Sequence, residues 1–575
     1  MSTYLSAQSL SIAFSSTPLF EDVTFTLNRD DKIGLIGHNG CGKSTLMKLL
    51  SGNKEDYSGN ITVASQCVLA YVEQHLPLSL QKATLLEAMA EKVKPDEIWR
   101  AELLLSELGF AQPNWQSPIS NLSGGQHMRL LLGRAVIQQP DLLLLDEPSN
   151  HLDLASLLWL ESFLSQWKGA FVLVSHDQTL LDKVTNTTWI MRDKTLYHFA
   201  MPCSQARQAL FERDQTDLQR HASEQKEIDR LEQSAVRLAV WGKTYDNPDL
   251  SRKAKTMQAR KQRLEEQQTR LTQGTPWKLA LQGDALPANR LLNVEQMAVT
   301  PSGTDIVLFE VLSKQVKSGD KIAILGNNGS GKSTLLKSLY AAYLEKTGQD
   351  KTVSDMDYHQ QCRLGYYDQS LEQIKDNETL SDALSRFAPT SDEQRKRALI
   401  SAGFEYQRHQ QKVASLSGGE RARLLFVGLT LARYHLLFLD EPTNHLDLEG
   451  KEELFATLQE YKGGALVVSH DRTLIEQSCN RFWLINHGEL TEYHNIEDIY
   501  SLLAKGNYSD KPGQQRPDGK KQESATNWND EVLLQRLVEL EQLLQEDLSR
   551  KPKHQKPALQ EKWRQEIDAI SRQIL

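Results

Sequence analysis

Two runs of consecutive apolar residues, Leu142-Leu143-Leu144-Leu145 and Leu436-Leu437-Phe438-Leu439, each end in an acidic pair, Asp146-Glu147 and Asp440-Glu441. Unbroken apolarity over so short a span predicts a strand buried on both faces, with the carboxylates at its C-terminal mouth. Apolar runs of the same kind stand at 33–36, 322–325 and 171–174, and stretches 5–14, 20–27 and 68–74 also read as strands. Between 204 and 287 the pattern changes. Residues 206–238 and 250–271 are rich in Glu, Gln, Arg, Leu and Ala, which predicts two long helices; Gly242 and Asn247-Pro248 between them predict a turn over 241–249. Antiparallel pairing into a helical hairpin follows. Residues 505–528 are polar and rich in Gly, Pro and Lys, as a flexible linker is. Beyond them Leu533, Leu537, Leu540 and Leu544, then Leu559, Trp563, Ile567, Ile570 and Ile574, recur at helical spacing across a break at 551–557. These stripes predict a second, C-terminal coiled coil over 529–575.

The apolar runs 33–36 and 322–325 each lead into a glycine-rich octet: Gly37-His38-Asn39-Gly40-Cys41-Gly42-Lys43-Ser44, and Gly326-Asn327-Asn328-Gly329-Ser330-Gly331-Lys332-Ser333. Strand, loop and helix in that order are the context of a phosphate-binding loop, in which backbone N–H groups curl around phosphates at a helix N-terminus. Lys43 and Lys332 would reach the β and γ phosphates, and Ser44 and Ser333, followed by Thr45 and Thr334, would hold Mg²⁺. Asp146 and Asp440 would complete the Mg²⁺ site, while Glu147 and Glu441 would polarise a water. Gln74 and Gln369 end strand-like stretches where they could sense Mg²⁺ or the attacking water, and His176 and His470, after 171–174 and Val467-Val468, could orient the γ phosphate. Ser123-Gly124-Gly125 and Ser417-Gly418-Gly419 precede helical runs and offer two further helix N-termini for an anion.

These features occur twice. Lys43 and Lys332 are 289 residues apart, and Gly124/Gly418, Asp146/Asp440 and His176/His470 are each 294 apart. Two copies of one α/β domain are therefore expected, at 1–203 and 288–504, joined by the hairpin at 204–287.

At 575 residues the chain is long enough for several domains with real cores. No apolar run reaches the length of a membrane span, and the first residues lack the basic and apolar regions of an export signal, so a cytoplasmic location without membrane is expected. The five cysteines show no disulfide or metal-binding spacing. A net charge of -9 argues against a uniformly basic nucleic-acid binder, so any such contact must be local. The best candidate lies at 237–263, where eight Lys and Arg (among them Arg237, Lys243, Arg252, Lys253, Lys255 and Arg260) face two Asp, with Trp241 and Tyr245 available to stack on bases.

In every diagnostic position these residues resemble the ATP-binding-cassette superfamily. The continuations Pro148-Ser149-Asn150-His151-Leu152-Asp153 and Pro442-Thr443-Asn444-His445-Leu446-Asp447 are similar to the F subfamily, ABC-F, tandem cassettes without membrane domains. The resemblance implies a monomer whose two cassettes close face to face on two ATP molecules. One site would then join Lys43, Ser44, Gln74, Asp146, Glu147 and His176 with Ser417 and Gly419. The other would join Lys332, Ser333, Gln369, Asp440, Glu441 and His470 with Ser123 and Gly125. It also implies an aromatic platform for adenine, which Phe14 fits; the matching place in the second copy falls near Pro301. Similar proteins bind ribosomes, with the hairpin near a tRNA site, so contacts with rRNA and tRNA are implied, in translation regulation, rescue of stalled ribosomes or antibiotic protection. A DNA-binding ATPase of replication or repair is the alternative, because some relatives with a C-terminal coiled coil take that form. The stretch between glutamine and signature is equal in the two copies to within one residue, so an inserted arm there is short or missing.

Overall fold

The computed structural model describes residues 3–506 apart from 15–16, 54–56, 73–76, 78–79, 81, 151, 246–247, 270–278, 280, 288–289, 302–305, 348–355 and 487. Residues 1–508 form one compact unit and 509–575 another. The coiled coil expected over 529–575, and the linker before it from 507 onward, lie outside the described residues.

Each repeat is built on a parallel sheet of the strands that the apolar runs predict. In the first, Leu69–Val72, Leu142–Asp146, Ala170–Val174, Lys32–Ile36 and Thr187–Arg192 run parallel in that order, and Thr195–Phe199 closes the edge antiparallel. Residues 142–146 and 170–174 are buried without exception, as strands covered on both faces must be. A separate antiparallel sheet of Thr17–Asn28, Thr3–Phe14 and Ser58–Val63 packs its apolar face (Leu5, Leu10, Phe20, Phe25) onto the same core.

The second repeat has the same order, but its antiparallel strands join the parallel ones in a single nine-stranded sheet. The join is one bridge, Glu310 to Glu489; at the corresponding place in the first repeat a lone hydrogen bond from Glu21 N to Lys194 O, 2.8 Å, does the same work. The architecture is thus the duplicated α/β, phosphate-loop fold that the spacing predicts.

The helix Cys203–Thr244 is 42 residues long, roughly 60 Å at the usual rise. It pairs with Pro248–Gln267 through Ile228, Ala235 and Ala254, which are buried, and through ion pairs Arg260–Glu227 (3.1 Å) and Lys261–Glu232 (3.0 Å). One expectation is corrected here: Trp241, Gly242 and Lys243 belong to the helix and not to a turn. Tyr245 N donates to Trp241 O (2.9 Å) and Thr244 Oγ1 to Val240 O (2.9 Å), so the helical ladder carries across Gly242, whose cost of about 1 kcal/mol is too small to break it. Pro248, whose fixed φ suits a first turn, opens the return helix. No helix among the described residues is long and apolar enough to cross a membrane.

The repeats face each other about a pseudo-twofold axis. Thr179 Oγ1 and Thr473 Oγ1, 294 positions apart in sequence, lie 3.4 Å apart across it. The elements that follow each repeat pack on their own repeat, Ile499 for instance on Leu325 and Phe482, and also reach the other. Cys203, Ala206 and Leu210 at the hairpin root share a buried cluster with Leu152, Leu157 and, from the second repeat, Leu448; the helix Ile496–Gly506 packs on Leu154–Gln166 of the first.

Candidate functional site

Each phosphate loop lies between its strand and the helix that begins at its lysine, Lys43–Leu50 or Lys332–Thr347. Gly42 and Gly331 turn the chain into these helices at φ +105° and +97°, where a Cβ would also strike Leu19 and Phe20, or Leu308 and Phe309. Gly40 and Gly329, at φ +83° and +80°, have nothing within 4 Å of a would-be Cβ: this side of the loop is open to a ligand. Gly37 and Gly326 begin the loops. Lys43 Nζ donates to Gly37 O (2.8 Å) and His38 O (3.2 Å), and Lys332 Nζ to Gly326 O (2.8 Å) and Asn327 O (3.0 Å), so both ammonium groups are buried and held over their loops.

Beside each lysine stands the acidic pair. Ser44 Oγ donates to Asp146 Oδ1 at 3.1 Å and Ser333 Oγ to Asp440 Oδ1 at 2.8 Å. Burial pushes both aspartates up; Ser44 and Ser333 oppose it. Asp440 Oδ2 is a buried acceptor with no donor among the described residues. A serine, one carboxylate and an unfilled buried oxygen fit Mg²⁺, which takes few protein ligands and fills its octahedron with phosphate and water oxygens. The sites differ in one tyrosine: Tyr71 OH donates to Asp146 Oδ2 (3.3 Å), whereas Tyr366 OH donates to Asp368 Oδ1 (3.4 Å).

Glu147 and Glu441 have left-handed backbones, φ +51° and +49°, a strain of about 1–3 kcal/mol for a residue with a Cβ. Each N–H is anchored on the strand that carries the histidine, Glu147 N to Val174 O (3.0 Å) and Glu441 N to Val468 O (2.8 Å). The kink brings Glu147 Oε1 within 3.5 Å of His176 Nε2, and Glu441 Oε1 within 3.3 Å of His470 Nε2. Burial lowers both histidines. The glutamates move apart. Burial pushes Glu147 up, but hydrogen bonding and charge from His176, with Lys43 and Asn150, overcome it and hold the carboxyl at about 2. Burial raises Glu441; Lys332 opposes this and Asp440 adds to it.

Contacts from the opposite repeat complete the arrangement. Asn39 Nδ2 donates to His445 O at 3.0 Å, and a Cβ on Gly419 would lie 2.8 Å from that oxygen and 3.5 Å from Asn39 Nδ2. The N-terminus of the helix Gly418–Ala432, capped by Ser417, therefore faces the first phosphate loop. On the other side Asn328 N donates to Asp153 Oδ2 at 3.1 Å, and Asp153 stands beside Gly125 in the helix Gly124–Val136, capped by Ser123. Both caps are capping boxes, closed by Gln126 in one copy and Glu420 in the other, so amide and carboxylate serve equally there. A cavity of about 830 Å³ follows the seam, reaching Lys332, Thr334, Gln369 and Pro301 in the second repeat and Asn39 and His176 in the first.

Not every candidate is placed. Gln74 lies outside the described residues, as does the side chain of Phe14; Thr45 sits half-buried in the first turn after Lys43. Sequence reasoning gave no role to Asp153 or to the His445 carbonyl. Their signal was the repeated Asn-His-Leu-Asp, of which only the aspartate's N-cap position can be read from the residues beside it.

At the hairpin tip Arg237, Trp241, Lys243, Tyr245, Arg252, Lys253 and Lys255 are exposed, Trp241 by 49 % and Tyr245 by 73 %. Arg260 is exposed too but is engaged with Glu227, and Arg252 stands 3.8 Å from Asp249, so Arg237, Lys243, Lys253 and Lys255 carry the remaining positive charge toward the tip.

Fold and sites together define a tandem ATP-binding-cassette ATPase. The family described as ABC transporter matches residues 20–150 and 309–444. The Escherichia coli K12 protein named "Probable ATP-binding protein YheS" is 31 % identical over 543 residues, covering 86 % of this chain and 81 % of that protein. ABC transporter F family member 5 of Arabidopsis thaliana is 29 % identical, covering 85 % and 76 %. The chain belongs to the ABC-F family of ATP-hydrolysing cassette proteins. Among solved structures it shares its fold with an archaeal ribosome recycling factor, aABCE1, in complex with the ribosomal stalk protein aP1 (TM-score 0.59, 18 % identity, 87 % and 92 % covered), and with an RNase-L Inhibitor (TM-score 0.57, 17 %, 87 % and 93 %).

Proposed function

We propose that this ATPase binds the ribosome while its cassettes are closed on two ATP molecules, places the hairpin tip on rRNA and tRNA near a tRNA site, acts there on translation, and leaves after hydrolysis. The observation that carries the reading is the tip: stacking residues Trp241 and Tyr245 exposed beside the exposed Lys243, Lys253 and Lys255, at the end of a long helix whose root also touches the second repeat. Aromatic faces beside Lys and Arg suit unpaired bases and a phosphate backbone. The cytosol, where ribosomes work, is the matching location.

In each site the loop N–H groups and Lys43 or Lys332 hold the phosphates of ATP, and the facing Ser417 and Gly419, or Ser123 and Gly125, present a second helix N-terminus to the γ phosphate. Ser44 with Asp146, and Ser333 with Asp440, would hold Mg²⁺ together with Gln74 or Gln369, and the ion would supply positive charge against the negative charge of the phosphates. Glu147 and Glu441 orient and polarise the attacking water, each with its histidine against the γ phosphate. Because each site needs both repeats, ATP favours the closed pair and ADP with free phosphate releases it, so nucleotide shifts a two-state population.

The test is the double variant Glu147→Gln with Glu441→Gln, expected to retain ATP without hydrolysing it and to co-sediment with ribosomes in a sucrose gradient. Adding Lys253→Ala and Lys255→Ala should weaken that binding and flatten its salt dependence by about one slope unit for each phosphate that is no longer neutralised. Absence from the ribosomal fractions, or preferential retention on duplex or branched DNA at the same salt, would overturn the reading.

A further inference from the structure

Three cationic side chains tie the two halves together among the described residues, two reaching from the second repeat and one from the hairpin root, and their places are not repeated in the other copy. Arg472 Nη1 lies 2.6 Å from Glu161 Oε2; Lys451 Nζ donates to His176 O at 3.0 Å; Arg207, at the hairpin root, grips Glu452 with both Nη atoms, Nη2 to Oε2 at 2.6 Å. The positions 294 residues away, in matching places of the other copy, hold Leu157 for Lys451, Leu158 for Glu452, Gln178 for Arg472, Phe455 for Glu161 and Ser501 for Arg207. None of the mirror-image ion pairs can form. In a molecule whose ATP sites are near-copies, the charged latch is present on one side.

Two of these bridges involve neighbouring residues, the fourth and fifth of the helix Leu448–Glu460, which Asp447 caps. Lys451 Nζ also donates to Asp471 Oδ2 at 2.8 Å, and Asp471 follows His470. One half-buried ammonium therefore ties both histidine loops together, through the His176 carbonyl in one site and the carboxylate of Asp471, next to His470, in the other. Glu452 holds Arg207, which lies four residues into the 42-residue hairpin helix and also donates from Nη1 to Gln178 Oε1 (3.3 Å), two residues after His176. A displacement of either histidine loop must pull on this pair of residues, and the pair is tied to the lever.

We propose that Lys451 and Glu452 form a one-sided transmission: Lys451 is a positioning residue linking the two histidine loops, and the Glu452–Arg207 pair passes their state to the hairpin. The idea rests on the ATPase reading of the sites but needs no ribosome, so its test is intramolecular. Labels at Gln233→Cys on the hairpin and Glu460→Cys on the second repeat, in the full chain with Cys67→Ser, report hairpin direction as a distance distribution with and without ATP.

The parent should shift with ATP. Glu452→Ala should keep ribosome-free ATP turnover while the ATP-driven population shift falls about tenfold, within the usual range of coupling between sites. The exchange Arg207→Glu with Glu452→Arg should restore the shift, which a merely structural role would not predict. Lys451→Met should bring the Hill coefficient of ATP hydrolysis to one, and Lys451→Arg should keep it above one. A parent that shows no ATP-dependent shift, or a shift that survives both Glu452→Ala and Lys451→Met, would overturn the proposal. A chain that shifts yet never meets ribosomes would overturn only the ribosomal reading.

Discussion

The bridge between Arg472 and Glu161 offers the sharpest test of how the closed state is held. Arg472 is 3 % exposed, and its Nε and Nη2 have no acceptor among the described residues, so the arginine has given up water without full repayment. Removing one member of such a pair while its partner stays buried costs about 3–5 kcal/mol. Glu161 keeps Lys183 Nζ at 2.8 Å, and it regains water when the repeats separate, so the penalty for Arg472→Met should sit at the low end and fall on closure alone. About 3 kcal/mol is roughly a hundredfold loss in the closing equilibrium. It should appear as a rise in the ATP concentration giving half-maximal turnover, with the thermal midpoint of the separated state nearly unchanged. Replacing both partners, Arg472→Met with Glu161→Leu, removes both desolvation costs and should recover most of the loss. A single variant within about threefold of the parent, or a double variant no better than the single, would refute the claim that a buried pair latches the seam.

The same variant has a pH signature. Burial raises Asp177, Asp471 adds to this and Arg472 opposes it, so Arg472→Met lifts the pKa further above its ordinary 3.8. A carboxyl whose pKa rises on closure stabilises the closed state at low pH and loses that contribution as pH climbs from its ordinary value; the defect in closure, followed by the distance labels, should deepen as pH rises above the ordinary 3.8 of a free aspartate. Burial pushes Cys203, Cys362 and Cys479 up to about 12, whereas Cys67 is only partly covered, so Cys67 should be first to react with a thiol reagent near neutral pH. A Cβ on Gly428 would come within 2.5–2.8 Å of three Phe387 ring carbons; Gly428→Ala should cost about 1–3 kcal/mol and lower the unfolding midpoint, and Phe387→Leu should relieve it.

Much of the site is legible in the sequence because its parts obey local rules. Lys332 follows a glycine loop after an apolar strand, Asp440 ends one, and Ser417 caps a helix; each needs only its neighbours. What is not legible depends on the facing repeat. Asp153 is visible as an N-cap, but its hold on Asn328 N, 175 residues on, exists only when the domains face each other. Lys451 looks like one more surface lysine on a helix until His176 is brought beneath it. The left-handed backbone at Glu147 and Glu441 is likewise imposed by anchoring on the next strand, against local preference. Trp241 fails in the opposite way: Gly242 beside it reads as punctuation, yet the hydrogen-bond ladder runs straight through.

The packing of the helix that follows each repeat bears on how the protein can be cut apart. A fragment stopping at Phe199 would lack Cys203, Ala206 and Leu210, which share a buried cluster with Leu152 and Leu157, while one beginning at 290 would keep Ile499 seated on Leu325 and Phe482 and lose only the Leu154–Gln166 side of its last helix. The N-terminal cut opens a core, and the C-terminal one uncovers an outer face. Split versions intended for biophysics therefore have to leave the root helix on the N-terminal piece, and the two pieces should then reunite through the seam alone.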